Sequence, residues 1–230
     1  AFSGTMETAG IPSLPLHLVT DDLTLEEPGP FIIKPRFGGS SIGIEVVEDL
    51  ATAKALVKTQ PLLRSGAVAQ RYLSDAVDLN ISVRTYPNTT LSAVARPLRP
   101  EDGGIYSYAD KYLTGPEGMA SAPRELPADL PPNIEGELRT IADQVVQLVM
   151  VRSVARIDFL WNADGLWVNE INTIPGSLSW YFWSHEGVPF ARLLTDLIQE
   201  ATESPGARFQ TDGADGTALR DVGAISHKLA

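Results

Sequence analysis

The stretch VARIDFLWNADGLWVNEINTIPG, residues 154–176, decides how the chain is read. Two alternating runs flank Ala163-Asp164-Gly165, which predicts a β-hairpin closed by a three-residue loop with Gly165 in the left-handed position. Alternation puts Ala155, Ile157, Phe159 and Trp161 on one face of the first strand, and Arg156 and Asp158 on the other. On the second strand Glu170 and Asn172 share a face, with Trp167 and Ile171 opposite. A loop centred on Asp164 sets Asp158 across from Glu170 and Arg156 across from Asn172. A slip of one residue would undo both pairs.

Two carboxylates directly opposed across a ladder repel unless a cation lies between them. An Asp, a Glu and an Asn amide oxygen are hard donors that suit Mg²⁺ or Mn²⁺, with water and phosphate oxygens completing the shell. The alternative is a solvated polar face on which Arg156 neutralises Asp158, since exposed alternating faces are common.

A second stretch, FIIKPRFGGSSIGIEVV at residues 31–47, runs from an apolar strand through Lys34 and a Gly/Ser loop into another strand. No lysine follows the glycines, so it is no Walker loop; Gly38, Gly39 and Gly43 are misplaced for a dinucleotide fingerprint and lead into a strand, not a helix. Two readings remain: a mobile tip whose backbone N–H groups fold over phosphate, with Lys34 reaching the same oxygens, or a plain surface turn.

The bulk properties narrow the class. The 230 residues carry a formal net charge of −11, which argues against nucleic-acid or anionic-membrane partners. Lysine is scarce, at positions 34, 54, 58, 111 and 228. There is no cysteine, and His17, His185 and His227 lack ligand spacing, so disulfide and zinc sites are not expected. No apolar run has transmembrane length, and a cytoplasmic protein is expected.

The rest reads as α+β with antiparallel hairpins. Residues 1–30 are loop-rich. A helix is expected from Asp49 as N-cap, then strands at 67–73, 78–86 and 91–98. Residues 99–133 form a long Gly/Pro-rich stretch of the kind that is usually functional or disordered. A helix follows with Ile141, Val145, Leu148 and Val149 on one face, and another covers PFARLLTDLIQEAT. Residues 204–218 read as a flexible tail, and ALRDVGAISHKLA, residues 218–230, as a short terminal helix.

Taken in order, Lys34-Pro35 with its Gly/Ser loop, QRYLSDAVDLN, YSYADKY, ARIDF and NEINTIPG resemble the ATP-grasp ligases, and within them the D-alanine–D-alanine ligase group. The resemblance runs from about residue 9 to about residue 201. It implies an ATP-grasp fold, two α+β subdomains clamping ATP, here residues 1–76 and 77–203. It implies that Lys34 contacts the ATP phosphates under a loop of Gly39, Ser40, Ser41 and Gly43, with Ser41 also among the catalytic groups. Gln70, Arg71 and Leu73 fall on the strand that meets adenine, and Asp78 on the ribose-binding position. Asp158, Glu170 and Asn172 match the ligands of two Mg²⁺ or Mn²⁺ ions. Lys111, on a closing loop, would act on the γ-phosphate with Tyr112 near substrate. Arg156 and the N–H of Gly176 match oxyanion donors, and Ser179 and Tyr181 the run that holds the second substrate's carboxylate.

The implied reaction transfers the γ-phosphoryl group to a carboxylate; an amine then displaces phosphate, joining two amino acids or analogues. A homodimer is a further arrangement that the resemblance allows. Gln70-Arg71 departs from the acidic residue and lysine common there, and Asp78 is one methylene shorter than the usual Glu. The family's preceding domain lies outside this chain, which motivates a second reading: a nucleotide-binding module without ligase activity. Of Trp180, Phe182 and Trp183, at least two are expected in the core.

Overall fold

Asp49 starts the first long helix as its sequence announces: the carboxylate accepts from the Thr52 N–H at 2.7 Å, capping α2, Leu50–Thr59. The structure is a computed structural model and describes residues 2–39, 41–98 and 123–204. Before α2 lie the short helix α1, Phe2–Thr8, and three strands: β1, His17–Leu18; β2, Phe31–Pro35; and β3, Glu45–Val47. With β4, Ala67–Arg71, these strands form an antiparallel four-stranded sheet in the order β1-β4-β2-β3. Phe31, Ile33, Ala67 and Ala69 alternate onto its inner face and pack with Ala53 of α2 and Leu63.

The second sheet has five antiparallel strands, ordered β7-β6-β5-β8-β9. They are β5, Val77–Arg84; β6, Thr90–Pro97; β7, Arg124–Glu125; β8, Val154–Asn162; and β9, Gly165–Asn172. Helix α3, Pro132–Leu148, covers one face, with Pro at its first position, where a missing N–H costs nothing. Its buried stripe is Leu138, Ile141, Ala142, Val145 and Val146, packed on Leu79, Ile81, Ile157 and Phe159. The expected stripe included Leu148, which is 40% exposed because it sits at the helix end beyond the sheet. Two further helices follow: α4, Trp180–His185, and α5, Phe190–Glu203.

Three readings need correction. Residues 2–8 are helical, and Met6 is fully buried in the core of the five-stranded sheet, where packing overrides a weak local signal. Strand β7 lies within the stretch expected to be loop, pairing Arg124 with Pro97 and Glu125 with Arg96. The hairpin loop holds two residues, Ala163 and Asp164, since Asn162 pairs with Gly165. Gly165 is not left-handed; a Cβ there would meet the Trp167 ring at 2.9 Å, so glycine makes room for the indole.

Among the described residues no helix is long and apolar enough to cross a membrane. Lys111, Tyr112 and Ser40, with the tail and terminal helix expected after residue 204, lie outside the described residues.

Candidate active site

The site forms on the face of the five-stranded sheet turned away from α3. Side chains at every second position point there: Asp78 and Asn80 from β5, Arg156, Asp158 and Leu160 from β8. With a two-residue loop a regular β9 would set Asp158 against Asn169. A bulge between Asp158 and Phe159 shifts the register, so Asp158 faces Glu170 and Arg156 faces Asn172 as expected. The bulge also moves Trp167 off the face of Ile171: it pairs with Leu160 and packs with Leu14, Leu73 and Ala76, while Val168 takes the core side.

Asp158 is 8% exposed and receives four hydrogen bonds. Arg156 donates two, from Nε at 2.6 Å and Nη2 at 2.7 Å; Asn80 Nδ2 donates at 2.8 Å and Asn172 Nδ2 at 3.0 Å. A bidentate guanidinium–carboxylate pair of this geometry is short and strong. Burial pulls the Arg156 guanidinium down, but the Asp158 charge and its hydrogen bonds, with a smaller contribution from Tyr181, raise it above its ordinary value. So Arg156 does neutralise Asp158, though buried in a pocket rather than on a solvated face. Glu170 is exposed, and the Asn172 amide approaches it at 3.4 Å.

Among the described residues no three His, Cys, Asp or Glu side chains cluster as metal ligands. An ion here would rest on Asp158, Glu170 and the Asn172 oxygen, presented by rotating its amide. Two carboxylates and an amide, opposed across one ladder and next to a phosphate-type loop, fit a hard divalent ion that takes few protein oxygens.

Lys34 enters from β2. Its Nζ donates to Gln70 Oε1 at 2.7 Å and to Asn169 Oδ1 at 3.4 Å, linking the two sheets. Gln70 is buried, and its Nε2 donates to the Leu14 carbonyl at 3.2 Å. Gly38, Gly39 and Ser41 of the Gly/Ser loop line the same cavity, as do Arg71 and Leu73. Gly43, at φ +73, does not line it; a Cβ there would press on Pro35 and Leu62 at 3.1–3.3 Å.

Past β9 the chain makes an unusual turn. Ser177, Leu178 and Ser179 have φ of 52, 48 and 52, three successive left-handed residues without a glycine. Each costs roughly 1–2 kcal/mol, and such strain gathers at functional sites. The turn aims Tyr181 into the cavity. Gly176 and Ser179 do not line it; Ser179 is fully buried, and its Oγ has no hydrogen-bond partner. Phe182 and Trp183 are fully buried, so core is the right reading for two of the three aromatics; Trp180 tilts against Phe190, ring centroids 6.0 Å apart.

Asn80, Asn169 and Arg124 are among the cavity residues that sequence reasoning does not single out. Asn80 was legible, two positions after Asp78 on a predicted strand. Asn169 owes its place to the bulge, and Arg124 to a long-range strand pair, neither of which leaves a local signal.

A family model described as "D-ala D-ala ligase C-terminus" matches residues 10–199. The D-alanine--D-alanine ligase of Thermosipho africanus is 29% identical over 176 residues, covering 76% of this chain and 47% of the relative. That of Solibacter usitatus is 33% identical over 184 residues, covering 76% and 54%. The solved structure of D-alanine--D-alanine ligase from Bacillus anthracis complexed with ATP superposes with a TM-score of 0.68 at 17% identity, covering 88% of this chain and 64% of that one. The chain thus spans about half the length of the curated relatives it matches.

Proposed function

The chain belongs to the D-Ala–D-Ala ligase family and has its ATP-grasp fold, and from that premise we propose that it is the catalytic part of an ADP-forming carboxylate–amine ligase. It would join two amino acids or close analogues. The observation that carries this reading is the convergence in one cavity of Lys34 and the Gly/Ser loop from one sheet with Asp158 and Glu170 from the other. The names of the relatives support alanine as a first substrate to test.

ATP would lie between the sheets, its base near Leu73 and Leu160 and its ribose near Asp78, all of which line the cavity. Asp158, Glu170 and Asn172 would hold Mg²⁺, which would supply charge neutralisation at the phosphates. Lys34, steadied by Gln70 and Asn169, adds a cation at the same place. The γ-phosphoryl group of ATP would pass to a carboxylate oxygen of the first substrate, with ADP as the leaving group. The amine of the second attacks that carbonyl carbon, loses a proton, and phosphate leaves with the transferred oxygen. Arg156, locked by Asp158, is a fixed positive charge for the oxyanion, and it needs no reorganisation as that charge develops. A reaction that consumes ATP belongs with the cytoplasmic nucleotide pool.

The test is ADP release with ATP and Mg²⁺ against D- and L-amino acids, singly and in pairs, using this chain and any longer product of its gene. Release that requires two amino acids supports the ligase. ATP binding without release under every condition supports a nucleotide-binding module instead.

A further inference from the structure

We infer that Arg124 is a binding residue for the carboxylate of the attacking amino acid, held ready by the face of Tyr181. The inference rests on the ligase reading above and adds to it a residue outside the recognised motifs. Strand β7 is only two residues long, yet it closes the edge of the sheet and fixes Arg124 opposite Pro97. From there the half-buried side chain reaches the cavity that contains Arg156, Asp158 and Glu170. Its guanidinium carbon lies 3.8 Å from the centroid of the Tyr181 ring. The same tyrosine also contributes to holding the Arg156 guanidinium in its charged form. One aromatic ring therefore carries a guanidinium on its face, in a cavity that holds a second one.

The chemistry of that pair suits a carboxylate. A guanidinium stacked on an aromatic ring is restrained in plane, and its N–H fork matches the two oxygens of a carboxylate. Five donors let Arg124 serve a ligand alongside the protein contacts it keeps. Arg156 is turned to Asp158 by two short hydrogen bonds, so the second arginine has a separate task. Position separates that task from the phosphates. Lys34 and the Gly/Ser loop come from the four-stranded sheet, and Glu170 from β9. Arg124 enters from β7, at the opposite edge of the five-stranded sheet, and meets Tyr181, two residues past the strained turn at 177–179. A carboxylate is the anion that an amino-acid nucleophile brings there.

The experiment compares wild type with Arg124→Leu and Arg124→Lys, using D- and L-alanine and their carboxamides as acceptors. It reads ADP release, and also equilibrium binding of each acceptor in the presence of Mg²⁺ and a non-hydrolysable ATP analogue. Losing a charge-assisted hydrogen-bond pair predicts a rise in acceptor KM, and a loss of acceptor affinity, of roughly ten- to a hundredfold in Arg124→Leu, partly restored by Lys. The preference for acid over carboxamide should collapse, with the KM for ATP nearly unchanged. An unchanged acid-to-amide ratio, a loss falling on ATP instead, or a wild type that binds no amino acid overturns the inference. Wild type that binds acceptors but never releases ADP overturns the ligase reading, and the binding ratios of the variants still decide Arg124.

Discussion

Asp158 and Glu170 face each other across β8 and β9, and Asn169 is the extra residue that puts them there. The two carboxylates differ in support. Asp158 is buried and receives hydrogen bonds from Arg156, Asn80 and Asn172, whereas Glu170 is exposed. Their variants should therefore fail in different ways.

Glu170→Gln removes a metal-binding charge from an exposed position. Turnover should fall by at least about a hundredfold, with the unfolding midpoint held. Steady-state ADP release and a thermal melt on the same sample check both halves. Near-normal turnover would remove Glu170 from the metal site.

Asp158→Asn should lose both activity and stability. It leaves the Arg156 charge buried without its counter-charge, which typically costs about 3–5 kcal/mol. Urea unfolding of the variant measures the loss. A wild-type midpoint would mean that the pair has no net role in the fold.

Chelation should stop turnover without unfolding the protein. Asp158 already has its hydrogen-bond partners from the chain, so the site does not depend on an ion for its shape. Excess EDTA is expected to abolish ADP release and to leave circular dichroism and the melting midpoint nearly unchanged. A large drop in the midpoint would indicate a structural ion instead.

Gly43→Ala tests the Gly/Ser loop. The position needs a left-handed backbone, and an added Cβ would crowd Pro35 and Leu62. The expected cost is about 1–2 kcal/mol, taken up by distortion of the loop, with weaker ATP binding. Nucleotide titration and unfolding measure the two effects. Unchanged ATP affinity would dissociate this glycine from phosphate binding.

The parts legible in the sequence were those with local causes. The Asp49 cap and the alternation in residues 154–160 follow from neighbouring side chains, and both stand. The Asp158–Glu170 pairing stands for a reason the sequence does not display: the loop is one residue shorter than expected, and the bulge compensates for it. Trp167, nearer the loop than the bulge, accordingly lies on the face opposite to the one that simple alternation predicts. The left-handed run at 177–179 was invisible because Ser and Leu give no sign of that backbone; the tertiary fold imposes it. Gln70, expected at adenine, lines the cavity and also bonds Lys34 and Leu14, a network joining residues 36 and 56 positions apart that the sequence does not display.

The central claim is that phosphate is transferred to a substrate carboxylate before the amine attacks. The direct measurement supplies the first amino acid with ¹⁸O in its carboxylate and follows the label through turnover by mass spectrometry. One ¹⁸O should appear in the inorganic phosphate released with each peptide-type bond. Label in AMP, or phosphate without label, would contradict the account.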